Sequence, residues 1–201
     1  MASTTGERQI GHKQDDIAIN HRARYEWAAK LLRKNIPKFS HVLDAACGCG
    51  YGAKILAQHG FAVTAYDKAD EAAKYQKQFH HPRVNFIQAD VFDAVEFGQT
   101  YDAVVSIETI EHIADAVNWI SRLWLSTPLM VGTVPNELIV PFNPKKHPFH
   151  HRHYTRRQVE ELFRGWELSD WATQFGKYQE YEMRPGDDGM TLGFLAKRLS
   201  A

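Results

Sequence analysis

Sulfur, net charge and long apolar stretches are all scarce in this chain of 201 residues. Its two cysteines, Cys47 and Cys49, stand one residue apart. That spacing is too tight for an ordinary disulfide, and no further cysteine completes a metal set. They read as small buried residues in a turn, in a chain suited to a reducing compartment. No apolar run reaches the ~18 residues that a bilayer span requires. The opening MASTTGERQIGHKQDD is polar and lacks the apolar core of a signal peptide. A cytoplasmic protein without a membrane span is therefore expected. Excess charge is missing too: 24 Lys+Arg face 24 Asp+Glu, so nothing pulls the whole chain toward long nucleic acid. Lys145, Lys146, Arg152, Arg156 and Arg157 form one local basic patch. There is no internal repeat and no low-complexity tract.

What is present suits one packed domain over 1–201, with 44% hydrophobic and 12% aromatic residues. Residues 1 to about 13 read as a loose arm, and a helical pattern covers 15–35, where Ile17, Ile19, Tyr25, Trp27, Ala28, Leu31 and Leu32 share a face. Together they make an arm and lid helix over 1–38. Beyond Pro37 the period changes. Strand patterns at 41–47, 61–67, 84–90, 101–109 and 128–134 alternate with helical patterns at 51–60, 69–79 and 115–125. A loop rich in Pro, Asn and His follows, and with its flanks (135–155) it is placed on the substrate side. A helix then opens at Thr155, and two β-like runs at 168–175 and 190–197 close the chain. This order predicts a Rossmann-like doubly wound α/β sheet of seven strands, mostly parallel with an antiparallel last strand, and helices on both faces.

Ligands of such sheets bind beyond the carboxyl ends of the strands. Four acids stand at four successive predicted strand ends: Asp44, Asp67, Asp90 and Glu108. Any one of them could be a helix cap; a set of four is harder to dismiss. Between the first two lies VLDAACGCGYG (42–52), whose Gly48, Gly50 and Ala53 match the dinucleotide fingerprint G-x-G-x-x-G/A. Asp67 stands 19 positions after Gly48 and suits a ribose. Asp44 does not suit a pyrophosphate, because it brings negative charge toward a doubly negative group. A ligand with a positive end and no phosphate, such as S-adenosylmethionine, fits an acidic cup better.

At these positions the chain resembles the class I S-adenosylmethionine-dependent methyltransferases. VLDAACGCGYG looks like their first motif, AVTAYD their second, FIQADVFD their third and YDAVVSIETIEHI their fourth; the likeness runs from about Tyr25 to Phe163. The resemblance implies that Asp44, with Ala45 beside it, faces the methionine ammonium, and that the backbone of Gly48 and Gly50 passes under the amino-acid moiety. It places Asp67 on the ribose hydroxyls, Lys68 beside the adenine, Asp90 on the adenine amino group and Val91 against the ring. The main chain at Ser106 and Ile107 would close the pocket beside Glu108. HRARYEWA (21–28) resembles the opening segment of the family, which brings Arg24 to the cofactor carboxylate and Tyr25 near the donor.

Glu108, Glu111 and His112 fall at i, i+3 and i+4, on one face of a helical turn. Downstream, HPFHHRHYT (147–155) resembles the N-P-F-H-x-x-E-[FY] segment of a subgroup acting on sugars and small hydroxylated acceptors. His150 is then the matching histidine, and His153 stands where the subgroup has an acid. Glu111, His112 and His150 are the candidate catalytic residues, with imidazole as the proton acceptor. Glu108, Glu111, His112 and His150 also resemble the metal quartet of small-RNA terminal 2′-O-methyltransferases, which makes Mg²⁺ or Mn²⁺ a candidate partner. His147, His151 and His153 read as surface residues.

The function expected is in-line methyl transfer to a hydroxyl or amine of a small molecule or glycan. Alternatives are an RNA or nucleotide 2′-O-methyltransferase, a non-catalytic cofactor-binding protein on the same fold, and a dinucleotide oxidoreductase, the last disfavoured by Asp44. One departure from the family pattern is WLSTPLMV (124–131), which lacks the usual proline-glycine-glycine turn before the fifth strand.

Overall fold

The computed structural model describes residues 9–95, 99–176 and 180–199, so the first eight residues of the predicted arm lie outside the described residues. Eight strands form one sheet: β1 (His41–Ala45), β2 (Ala62–Tyr66), β3 (Val84–Ile87), β4 (Ala103–Ile107), β5 (Leu129–Pro135), β6 (Trp166–Gln174), β7 (Arg184–Pro185) and β8 (Thr191–Arg198). Their order is β3-β2-β1-β4-β5-β8-β6-β7. The first five run parallel; β8 lies antiparallel between β5 and β6, and β7 pairs antiparallel with β6 at the edge. The predicted doubly wound sheet is thus present. Its last long strand is antiparallel as expected, and the two-residue β7 is an addition that no hydrophobic period could have signalled.

Helices α1 (Ile19–Asn35) and α2 (Tyr51–Gln58) cover one face, and α4 (Ala116–Ser126) and α5 (Arg156–Leu162) the other; α3 (Asp70–Gln76) joins β2 to β3. The central strands are apolar on both sides because both sides are covered. Every residue of β4 and β5 is buried. On α4, Ala116, Trp119, Ile120 and Leu123 are buried at i, i+3, i+4 and i+7. Each large apolar side chain so placed contributes roughly 1.5–3 kcal/mol. Asp115 accepts the Asn118 N–H and starts this helix. The Trp119 indole donates to the Val91 carbonyl, which ties the helix to the loop after β3.

The lid helix begins later than its apolar pattern suggests. Asp16 accepts the N–H groups of His12 and Lys13 and holds a short 3-10 turn over Gln14–Asp16. Ile17 is then extended, and the helix starts only at Ile19. No helix among the described residues is long and apolar enough to cross a membrane.

Two glycines set how closely the glycine turn packs. Gly50 has φ 94°, and a Cβ there would lie 2.5 Å from the Phe86 ring. Gly52 sits directly against Tyr25, and a Cβ on it would clash with the carbons of that ring. Gly52→Ala is expected to displace Tyr25 and cost about 1–3 kcal/mol, as overpacking does. For a chain of this size that lowers Tm by about 2–4 °C per kcal/mol. Gly176→Ala, where a Cβ meets nothing within 4 Å, is the control. Equal melting of the two variants would refute the packing account.

Candidate active site

A cavity of about 870 Å³ opens along the carboxyl ends of the parallel strands. The segment after β1 contributes Ala46, Cys47 and Gly48; that after β2 contributes Asp67 and Lys68; that after β3 contributes Asp90, Val91 and Phe92; and the end of β4 with the residues beyond it contributes Ile107, Glu108 and Thr109. Arg24 and Tyr25 of α1 roof it, and the histidines of the 135–153 loop wall its far side.

Backbone strain collects at two of these strand ends. Ala46 has φ 59° and Glu108 has φ 51°, a region that non-glycine residues seldom occupy. Both residues line the cavity. They are held in place: Thr109 donates to the Ala45 carbonyl (3.2 Å), and the Glu108 N–H reaches Thr133.

Asp67 accepts the N–H of Gly48 (2.9 Å) and that of Ala69 (2.9 Å). The glycine turn therefore presents a carboxylate where a dinucleotide site would offer bare N–H groups to pyrophosphate. Lys68 pairs with Asp90 at 3.0 Å and joins the ends of β2 and β3. Partial burial would raise the Asp90 pKa, but the Phe92 N–H and the Lys68 ammonium outweigh it and hold the group below the usual range. Arg24 bridges to Glu108 (3.3 Å), Gln174 (2.9 Å) and Thr191 (3.2 Å), which fastens the lid helix to β4, β6 and β8.

Of the expected cofactor residues, Arg24, Gly48, Asp67, Lys68, Asp90, Val91 and Glu108 line the cavity. Asp44, Ala45, Gly50 and Ser106 do not. Asp44 and Ala45 are fully buried in β1, Ser106 is fully buried in β4, and Gly50 faces Phe86. Asp44 lies behind the cavity, its Oδ1 taking the Tyr25 hydroxyl (3.0 Å) and its Oδ2 without a hydrogen-bond partner among the described residues. Burial pushes its pKa up to about 8, the Tyr25 hydroxyl opposes this, and the Asp67 charge adds to it. Burial likewise pushes the Cys47 thiol up, so Cys47 is an inert part of the floor.

The helical face drawn through Glu108, Glu111 and His112 is corrected by the geometry. The positive φ at Glu108 breaks the period, and the 3-10 turn begins only at Ile110. Glu108 points to Arg24 and accepts from the Thr133 hydroxyl (2.9 Å). Glu111, His112 and His150 do converge, each with one ligand atom within 4.8 Å of the others. His112 Nδ1 lies 3.0 Å from the Phe149 carbonyl, which can only accept, so Nδ1 carries a hydrogen and the neutral tautomer is the one with Nε2 as acceptor. The 112 and 150 rings meet edge to face, centroids 4.5 Å apart. His153, expected at the surface, is 3% exposed and hydrogen-bonded to His150. His151 is exposed as expected, and His147 is half-buried. Among the lining residues that the sequence did not single out are Phe149, Met190 and Thr191. They come from loops and from an antiparallel strand, where no motif marks them.

Residues 42–124 match a family described as Methyltransferase domain. A ubiquinone biosynthesis O-methyltransferase of Rickettsia prowazekii is 32% identical over 120 residues, covering 56% of this chain and 47% of that protein. A probable S-adenosylmethionine-dependent methyltransferase of Mycobacterium tuberculosis is 30% identical over 128 residues, covering 60% of this chain and 46% of its own length. The chain thus spans about half the length of the curated relatives it matches. Among solved structures, the N-methyltransferase NodS of Bradyrhizobium japonicum in complex with S-adenosyl-L-homocysteine superposes with TM-score 0.67 at 14% identity, covering 90% of this chain and 88% of that one. The magnesium protoporphyrin IX methyltransferase of Synechocystis with bound SAM gives TM-score 0.64 at 19% identity, covering 96% and 87%.

Proposed function

We propose that this chain is a class I S-adenosylmethionine-dependent methyltransferase that methylates a hydroxyl of a small uncharged molecule or sugar. The observation that carries the cofactor reading is the Asp67 carboxylate bound to the Gly48 N–H, with Asp44 behind it. The Asp67 carboxylate repels a pyrophosphate, and Asp44, neutral until a cation arrives, can ionise to meet an ammonium. Bound there, S-adenosylmethionine supplies an activated methyl on sulfur. Asp67 can accept ribose hydroxyls, Asp90 lies one strand further along for the adenine, and Arg24 closes the roof. The acceptor side is formed by Val140, Phe149 and Met190 among imidazoles. The lining residues include Arg24 and Lys68 as lysine or arginine cations, and each is already matched to an acid. That pairing disfavours a phosphate-bearing acceptor and so the nucleotide reading.

His150 and His112 are the groups that take the acceptor's proton. The acceptor oxygen becomes strongly acidic as its bond to carbon forms, so an unprotonated imidazole of low basicity suffices. A second reading is favoured by the convergence of Glu111, His112 and His150. One carboxylate and two imidazoles make a three-ligand set with an open position, and Mn²⁺ suits it better than Mg²⁺. Such an ion would lower the pKa of a bound hydroxyl.

Calorimetry with S-adenosylmethionine and NAD, followed by labelled methyl transfer into phenols, sugars and nucleotides, tests the proposal. Binding of S-adenosylmethionine and labelling of an uncharged hydroxylated acceptor are expected. Binding of NAD alone, or labelling confined to RNA, would overturn it. Activity that survives exhaustive chelation would remove the metal reading and leave the base reading in place.

A further inference from the structure

His153 is a buried imidazole in a loop otherwise rich in exposed residues. Its position is set by the strand beside it: Tyr154 bridges to Asn136, its N–H reaches the Pro135 carbonyl (3.1 Å), and its own carbonyl receives the Glu137 N–H (3.0 Å). Phe142 packs against the 153 ring edge to face at 5.6 Å, and His147 lies 4.5 Å away. A buried imidazole must satisfy both nitrogens, and here each partner dictates which one carries the proton.

His153 Nδ1 lies 2.6 Å from the Val140 carbonyl. A carbonyl accepts only, so Nδ1 holds the hydrogen, and Nε2 of the neutral ring is the acceptor. His153 Nε2 lies 2.7 Å from His150 Nδ1. His150 must therefore donate from Nδ1, and its Nε2 is left unprotonated. A single carbonyl thus sets two rings in series. The His112 ring receives the same instruction separately, from the Phe149 carbonyl.

We propose that His153 is a positioning residue for methyl transfer: it accepts the Nδ1 proton of His150 and so holds that ring in the one tautomer whose Nε2 can take a proton or bind a cation. The proposal rests on the reading of His150 as base or ligand, and its role is the one that carboxylates and carbonyls behind ligating or catalytic histidines commonly fill. In this chain an imidazole does the same work, because its other nitrogen is anchored on Val140. The two hydrogen bonds of His153 run to Val140 and His150, on the loop side of the cavity.

The test uses the full chain and three variants. Ring ¹⁵N spectra, with the His150 signals identified by their loss in His150→Ala, read the tautomer without any reaction. The wild type is expected to show a protonated Nδ1 and an unprotonated Nε2 at His150. In His153→Leu this single tautomer should give way to a mixture, and kcat should fall about 10–100-fold with unchanged affinity for S-adenosylmethionine. His153→Gln, whose side-chain oxygen can accept the same hydrogen, should recover most of kcat. A protonated Nε2 at His150 in the wild type, full kcat in His153→Leu, or a glutamine variant as impaired as the leucine one would each overturn the proposal. Full activity in His150→Ala would instead sink the reading of His150, while the spectra would still report on His153.

Discussion

His150→Ala is expected to lower kcat by about 10²–10⁴-fold, the range that a positioned proton acceptor contributes, with little change in the binding of S-adenosylmethionine. The separation follows from the layout. Asp67, Asp90 and Arg24 gather at the ends of β2, β3 and on the lid helix, whereas His150 sits on the 135–153 loop across the cavity, against His112. Burial first, then the charges of His112, His153 and His147, push the His150 pKa down to about 3. The ring is therefore unprotonated throughout the ordinary working range, and its own protonation should leave no acid limb in kcat between pH 6 and 8. Steady-state kinetics with saturating cofactor, beside calorimetry, would check both parts. A variant that lost cofactor affinity and kept kcat would move His150 out of the chemistry.

The parts of this protein that were legible in its sequence are those governed by period and by position along a strand. Alternation of apolar runs with helical patterns named the sheet, because a parallel strand covered on both faces has little choice but to be apolar throughout, as β4 and β5 are. The acids at strand ends could be read because the fold puts every such end on one edge. Three of them, Asp67, Asp90 and Glu108, line the cavity. Asp44 could not be placed from its letter, since whether it faces a ligand or a tyrosine depends on α1 crossing over it. Glu108 was misread for a conformational reason: a left-handed φ interrupts a spacing that on paper is helical. His153 was misread for a topological one. The bridge between Asn136 and Tyr154 draws that part of a polar loop inward, and nothing in HPFHHRHYT marks which histidine will be buried.

Asp44→Asn is expected to stabilise the protein at pH 8, to do so far less at pH 5, and to weaken cofactor binding. The carboxyl has a folded pKa of about 8, against an ordinary value of 3.8. Because its pKa is raised on folding, the stability that the neutral carboxyl preserves is fully present below about pH 4 and is lost as pH rises toward 8. The full span corresponds to several kcal/mol by order of magnitude. Asparagine stays neutral and of similar shape, so it removes the slope: its advantage in Tm over the native chain should grow steadily from pH 5 to pH 8. The native residue is then an expense accepted for function. A ligand ammonium arriving beside Tyr25 would favour the ionised form, and Asp44 would release its proton as the cation binds. In the asparagine variant that attraction is gone, and affinity for S-adenosylmethionine should drop about ten-fold or more, the equivalent of about 1.4 kcal/mol. Calorimetry in two buffers of different ionisation enthalpy should show proton release by the native chain at pH 7 and none by the variant. Parallel Tm values across pH would mean that Asp44 is not held neutral in the folded chain. Equal proton release by the two proteins would mean that the cofactor's cation is met by another acid, with Asp67 the nearest to hand on the cavity wall.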